Sequence, residues 1–156
     1  MGRTEHYRDP DAPPATRIVV AAQAFVQDDA GRILLIQRSD NGLWAPPGGA
    51  QSIGERVGDA AVRETKEETG YDIEVIGMVG VYSDPAHVIA YDNGEVRQQF
   101  ALCFRARLVG GARFTSDESP QVRWVAPEQL DGLPIHPSIR LRLDDALLRQ
   151  TEPAIR

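Results

Sequence analysis

The chain has 156 residues, of which 42% are hydrophobic and 26% charged, and its formal net charge is −6. This length is typical of one domain with one core, and no apolar run reaches the ~18–20 residues of a membrane span, so we expect a soluble protein. The negative charge argues against broad nucleic-acid binding, which needs a field of Lys and Arg. A small anionic substrate bound through metal ions is compatible with it.

Residues 1–15 are expected to form a flexible N-terminal segment, and residues 16–150 the folded domain. Met1–Pro14 is polar, contains three prolines, and has neither the basic nor the apolar region of a signal peptide. The single cysteine, Cys103, cannot form an internal disulfide, and its apolar neighbours favour a buried structural thiol over a nucleophile. These features predict a cytoplasmic protein.

Strands and helices follow one another without a regular βαβ alternation. In chain order, the predicted strands are Arg17–Gln27, Ile33–Ile36, Ile73–Tyr82, Val96–Leu108 and Val122–Val125, and the predicted helices are Glu55–Thr69 and Ser138–Leu148. Glycine and proline predict a loop from about Asn41 to Gly54. Of two later loops, Gly110–Pro120 and Ser83–Glu95, the second is long enough to face a substrate. The mixture favours an α+β fold, with a mixed sheet flanked by helices.

Three glutamates, Glu64, Glu67 and Glu68, are spaced i, i+3 and i+4 on the first predicted helix, so their carboxylates lie on one side of it. Like charges at such spacings oppose helix formation by roughly 0.2–0.5 kcal/mol per pair. Carboxylates without His or Cys suit Mg²⁺ or Mn²⁺ better than Zn²⁺. The alternative is a solvated helix face on which Arg63 pairs with Glu67, but this explains only part of the pattern.

Glycines and a further acid precede this cluster at fixed distances. The Gly48-Gly49 turn can bring a backbone carbonyl close to a bound ion. The pattern G-x5-E-x7-R-E-U-x-E-E-x-G-U, where U is usually aliphatic, is matched at its seven fixed positions, Gly49, Glu55, Arg63, Glu64, Glu67, Glu68 and Gly70. With these residues the chain resembles the Nudix hydrolases. Thr65 and Tyr71 depart from the pattern at the aliphatic positions, but both are half-apolar and able to pack.

The resemblance implies an α/β/α sandwich with a mixed sheet, and Mg²⁺-dependent hydrolysis of a nucleoside diphosphate linked to another group X. The metal ligands that it implies are the side chains of Glu64, Glu67 and Glu68 and the carbonyl of Gly48. It also implies that Glu55 and Arg63 orient the cluster. The proton acceptor in the family is a helix glutamate or an acid from a later loop, so Glu68 and Glu118 are the candidates here.

Three residues on two strands are candidates for substrate binding. Arg38 ends the second strand just before the glycine loop, where it can reach a phosphate, and Arg97 and Gln99 begin a strand that faces the cleft in this fold; for each, a surface position is an equal alternative. His87, Tyr91 and Trp44 can stack on a base, although packing is favoured. His6 and His136 have no metal-ligand spacing.

Several functions are compatible with these residues. The leading hypothesis is an enzyme that splits ADP-ribose or another nucleotide sugar, and the alternative within the same chemistry is a nucleoside triphosphate pyrophosphohydrolase of the MutT type. A Nudix-shaped module that binds a nucleotide without hydrolysis would be expected to lack some of the acids. Family members often form homodimers, so a second copy is an expected partner beside the small nucleotide substrate.

Overall fold

The chain, described for residues 2–156 by a computed structural model, folds around one mixed β-sheet. Its strands are β1 (Arg3–Tyr7), β2 (Arg17–Gln27), β3 (Ile33–Gln37), β4 (Trp44–Ala45), β5 (Gly48–Ala50), β6 (Tyr71–Tyr82), β7 (His87–Tyr91), β8 (Val96–Gly111), β9 (Gln121–Val125) and β10 (Ala154–Ile155). The helices are α1 (Val57–Thr69), a 3-10 helix (Pro127–Gly132) and α2 (Pro137–Leu148). No helix in residues 2–156 is long and apolar enough to cross a membrane.

Two long strands that are distant in sequence form the centre of the sheet. β2 and β8 run parallel and in register from Arg17 opposite Arg97 to Gln27 opposite Arg107. The order β1-β7-β8-β2-β3-β4 is extended by β6 on β8, β5 on β2 and β9 on β3. Because the other pairs, except β10 with β6, are antiparallel, the sheet is mixed.

Each face of the sheet carries its own apolar cluster, because alternate residues of a strand point to opposite faces. Ala22, Ala24 and Val26 of β2 pack with Ala60 and Ala61 of α1. On the other face, Phe25 and Cys103 pack with Leu143 and Ala146 of α2. One helix thus covers each face, which confirms the predicted α/β/α sandwich.

Helix α1 ends where the sequence predicts. Gly70 adopts φ 79°, and its N–H donates to the Lys66 carbonyl at 2.9 Å, an arrangement that glycine makes without a Cβ penalty. Thr65, at one aliphatic position of the motif, is fully buried and donates its hydroxyl to the Ala61 carbonyl at 2.7 Å. Tyr71, at the other, accepts a hydrogen bond from the Trp124 indole at 3.1 Å.

The structure corrects the prediction for two segments that pair with each other. Arg3–Tyr7, predicted to lie in a flexible segment, is a strand, and its partner His87–Tyr91 lies within the predicted loop Ser83–Glu95. Each strand has only five residues, and isolated strands of this kind are marginal in water. Their order therefore depends on pairing across the sheet, which a local sequence pattern does not report.

Candidate active site

A cavity of about 460 Å³ opens where β5 meets the acidic side of α1. This volume falls within the ~300–1,000 Å³ that is usual for small-ligand sites. Seven predicted site residues line the cavity, namely Arg38, Gly48, Glu64, Glu68, Arg97, Gln99 and Glu118. The other three, Glu55, Arg63 and Glu67, lie outside its lining and contact one another around Arg63.

Arg63 connects the acids on the outer side of the helix. Its Nε and Nη2 donate to the two carboxylate oxygens of Glu55 at 2.7 and 3.1 Å, and its Nη1 donates to Glu64 Oε1 at 2.8 Å. The same Nη1 lies 3.3 Å from Glu67 Oε2. The hydrogen bond from Arg63, with one from the Ser52 N–H, lowers the pKa of Glu55 to about 2. Arg63 and Glu55 therefore stay ionised and fix the orientation of Glu64.

Glycine is required at two positions because the backbone passes close to other groups. A Cβ atom on Gly49 would lie 2.5 Å from the carboxyl carbon of Glu64, and one on Gly48 would lie 2.3 Å from the carbonyl oxygen of Ala22. β5 also pairs with β2 through this segment, which holds it in place. The Gly48-Gly49 backbone thus lies directly against the acid cluster.

Glu68 is the most buried acid of the cluster, with 7% of its surface exposed. Its Oε1 accepts from the Gly48 N–H at 3.1 Å, and its Oε2 accepts from the Ser119 hydroxyl at 3.3 Å. Burial, reinforced by the charge of Glu64, outweighs these bonds and the charge of Arg38, and raises the pKa of Glu68 to about 8. Sequence reasoning missed Ser119, because nothing in its local pattern distinguishes it from other loop serines.

Arg38 presents a fixed positive charge to the cavity. Its Nε and Nη2 donate to the two carboxylate oxygens of Asp40 at 3.0 and 2.9 Å, and Arg3 Nε contacts the same acid at 3.0 Å. Although burial opposes ionisation, the Asp40 pair raises the pKa of Arg38. A guanidinium held in this way is suited to bind a phosphate.

Arg97 and Gln99 lie farther along the cavity, on the first residues of β8. Arg97 donates twice to Glu95, at 2.8 and 3.0 Å, and its guanidinium carbon lies 4.5 Å from the centre of the Tyr91 ring. These contacts hold Arg97 at the cavity wall. Both residues are thus placed where a substrate group can reach them.

Glu118 is exposed and lines the cavity from the loop before β9. Its carbonyl oxygen accepts from the Ser39 N–H at 3.1 Å, which ties this loop to the end of β3. The adjacent Ser119 contacts Glu68. The loop therefore brings a hydroxyl and an exposed carboxylate to the acid cluster.

A second polar group in the same cavity was not predicted. Glu5, His87 and His136 come from β1, β7 and the residue before α2. His87 Nε2 donates to Glu5 Oε1 at 2.6 Å, His136 Nδ1 lies 3.7 Å from that oxygen, and the two imidazole rings stack with centres 5.6 Å apart. Sequence spacing had no signal for it, because the three residues lie on separate elements.

Comparisons with known proteins give matches in sequence and in fold. The sequence model of the NUDIX domain matches residues 17–146. A MutT-like protein of Streptomyces ambofaciens is 36% identical over 119 residues, which cover 76% of this chain and 70% of that protein. An ADP-ribose pyrophosphatase of Methanocaldococcus jannaschii is 34% identical over 118 residues, covering 74% and 64%. A NUDIX hydrolase structure from Nitrosomonas europaea has a TM-score of 0.72 at 23% identity, covering 90% and 77%, and shows the same fold.

Proposed function

The chain belongs to the Nudix hydrolase family, and we propose that it is a Mg²⁺-dependent pyrophosphohydrolase of a nucleoside diphosphate linked to a group X, such as ADP-ribose or another nucleotide sugar. As a Nudix enzyme it is a hydrolase of phosphoric anhydride bonds. The observation that carries the proposal is the placement of Glu64, Glu68 and the Gly48-Gly49 backbone in one cavity with Arg38. A homodimer and a cytoplasmic location stay predictions.

The acid cluster fits a hard divalent cation. Glu68 is buried near Glu64, and within residues 2–156 no basic side chain forms an ion pair with Glu68. Oxygen donors from Glu64, Glu67, Glu68 and the Gly48 carbonyl would hold Mg²⁺, whose preferred ligands are carboxylates, carbonyls and water. When bound, Mg²⁺ neutralises charge on the phosphates and lowers the pKa of a coordinated water.

The residues of the chain then have separate tasks around the diphosphate. Arg38 binds a phosphate oxygen, and Arg63 with Glu55 keeps Glu64 oriented. Water attacks phosphorus as its proton passes to a carboxylate, and the bond to the leaving phosphate oxygen breaks. Glu118 is favoured as this acceptor, since it is exposed at the cavity, whereas both oxygens of Glu68 already accept hydrogen bonds.

The test is a panel of nucleotides with Mg²⁺, with products identified by mass. Glu67→Gln should abolish most of the turnover of the substrate found. Glu74→Gln is the matched control, because it also removes an acid from an exposed ion pair with arginine; the side chains of Glu67 and Glu74 are 58% and 52% exposed. Equal turnover by the two variants would contradict the role of Glu67.

A nucleoside triphosphate is the alternative substrate, supported by the name of the MutT-like relative. The same panel separates the two classes, because a nucleotide sugar gives a nucleoside monophosphate and a sugar phosphate, whereas hydrolysis of a triphosphate to its monophosphate gives pyrophosphate. Nucleotide binding without any turnover, over a range of pH and with Mn²⁺ as well as Mg²⁺, would instead support the non-catalytic binding module.

A further inference from the structure

The cavity of the acid cluster also contains the polar group formed by Glu5, His87 and His136, which has no task in the reaction above. The charges of Glu68 and Glu5 both contribute to the raised pKa of Arg38, so Arg38 lies near both groups. Glu5 is on β1, which lies outside the 17–146 span of the domain match. A strand outside the matched residues thus supplies part of the cavity wall.

The proton positions at His136 follow from its contacts. Its Nδ1 accepts a hydrogen bond from the Ser138 backbone N–H at 3.2 Å, and an amide N–H can only donate. The Ser138 hydroxyl, 2.8 Å from the same nitrogen, can donate to it as well. Nδ1 therefore carries no proton, and the neutral ring carries its proton on Nε2. Burial lowers the pKa of His136, which favours this neutral form. Within residues 2–156, Nε2 has no hydrogen-bond partner, so it is a free donor.

Glu5 supplies an acceptor beside this donor. Burial opposes its ionisation, but the hydrogen bond from His87 and the nearby charge of Arg3 act against burial, and the pKa of Glu5 is lowered. Within residues 2–156, His87 makes the only hydrogen bond to the Glu5 carboxylate, since Arg3 Nη2 is 3.9 Å from Glu5 Oε2. An ionised carboxylate has about four acceptor positions, so most of them are available to a ligand.

The same three residues are close enough to suggest a metal site, with candidate ligand atoms within 4.8 Å of one another. The hydrogen-bond geometry opposes this interpretation. His136 Nδ1 is already used by the first turn of α2, and the 2.6 Å between His87 Nε2 and Glu5 Oε1 is shorter than the roughly 3.3 Å separating two ligands of a tetrahedral Zn²⁺. Buried Arg142, whose positive charge acts on His136, further disfavours a cation.

We propose that Glu5 and His136 form a recognition pair for an uncharged end of the substrate, with His87 and Ser138 as positioning residues. O–H or N–H donors of the substrate bind the Glu5 carboxylate, and a neighbouring oxygen or ring nitrogen accepts the His136 Nε2 proton. Sugar hydroxyls and the edge of a nucleobase share this chemistry. The inference rests on the proposed function, and it makes β1 a specificity element of the cavity.

The experiment compares Glu5→Gln and His136→Asn with the wild type on ADP-ribose, on the methyl ester of ADP, which lacks the second sugar, and on dGTP. Gln keeps the shape of Glu, and Asn keeps the helix cap that His136 provides. Glu74→Gln is the control outside the cavity. Loss of a hydrogen bond to a charged group predicts a KM increase of roughly 10- to 100-fold for Glu5→Gln, with kcat little changed.

The pattern of KM changes identifies which end is bound. An increase for ADP-ribose alone assigns the pair to the second sugar, and an increase for the methyl ester or dGTP assigns it to the nucleoside. Unchanged KM for all three probes in both variants overturns the inference. Binding of one equivalent of Zn²⁺ by the wild type, lost in Glu5→Gln, overturns it as well. If Glu5→Gln does not fold, His136→Asn decides.

This outcome is separable from that of the proposed function. Absence of turnover in the wild type would contradict the proposed hydrolysis. The recognition pair is then tested by calorimetry with the same probes and Mg²⁺, where Glu5→Gln should weaken the Kd by a similar factor. Failure of the wild type to bind any of the three probes would overturn the pair as well.

Discussion

Replacement of Glu68 with Gln should stabilise the metal-free protein at neutral pH. The pKa of Glu68 rises from 4.5 to about 8 in the folded state, so between these values the folded protein retains a proton that the unfolded chain releases. Because the unfolded state binds fewer protons, the free energy of unfolding falls as pH rises through this range, by at most about 1.4 kcal/mol per pH unit. At pH 7 the raised pKa of Glu68 lowers the free energy of unfolding by about 3 kcal/mol.

Gln removes this penalty without leaving a buried group unpaired. Its carbonyl oxygen can still accept from the Gly48 N–H, and its amide N–H can donate to the Ser119 hydroxyl, the two partners that Glu68 has now. The expected gain at pH 7 corresponds to a Tm increase of about 6–12 °C for a domain of this size. At pH 5, where the carboxyl is protonated in the folded state and only partly ionised in the unfolded chain, the gain should fall below about 1 kcal/mol.

The assay is urea unfolding of EDTA-treated protein at pH 5, 6, 7 and 8, with Glu74→Gln as the control for loss of an exposed acid. Wild-type stability should decline with pH relative to Glu68→Gln, and the control should follow the wild type. Mg²⁺ should stabilise the wild type more at pH 8 than at pH 6, because binding must displace the proton of Glu68. Parallel pH curves for wild type and Glu68→Gln would refute the reasoning.

Three further variants test the site. Gly49→Ala places a methyl group 2.5 Å from the Glu64 carboxyl carbon and should lower Mg²⁺ affinity at least tenfold by calorimetry, whereas Gly58→Ala, which meets nothing within 4 Å, should not. Arg63→Lys keeps the charge but loses the paired donors, so kcat should fall roughly 10- to 100-fold; unchanged kcat would contradict its orienting task. Glu118→Gln should lower kcat with little change in KM, and an unchanged kcat would instead favour Glu68 as the proton acceptor.

The sequence predicted the part of the site that one short segment carries. Glu64, Glu67 and Glu68 share a helix face because of the 3.6-residue period alone, and α1 confirms the spacing. Two glycines of the motif are required for different reasons. Gly70 ends α1 with a positive φ, whereas a side chain on Gly49 would collide with the Glu64 carboxylate. The motif could indicate the contact between Gly49 and Glu64 because both residues lie within it at a fixed spacing.

The part of the site that the sequence did not predict is formed by residues from distant segments. Glu5 reaches the cavity because β1 pairs with β7, with Glu5 opposite Ile89 and Tyr7 opposite His87. A shift of this register by one residue would turn the Glu5 side chain to the other face of the sheet. Neither five-residue strand has a pattern strong enough to specify the pairing alone, and His136 arrives from a third element. The group of Glu5, His87 and His136 thus depends on long-range register, whereas the acid cluster of the motif depends on local periodicity.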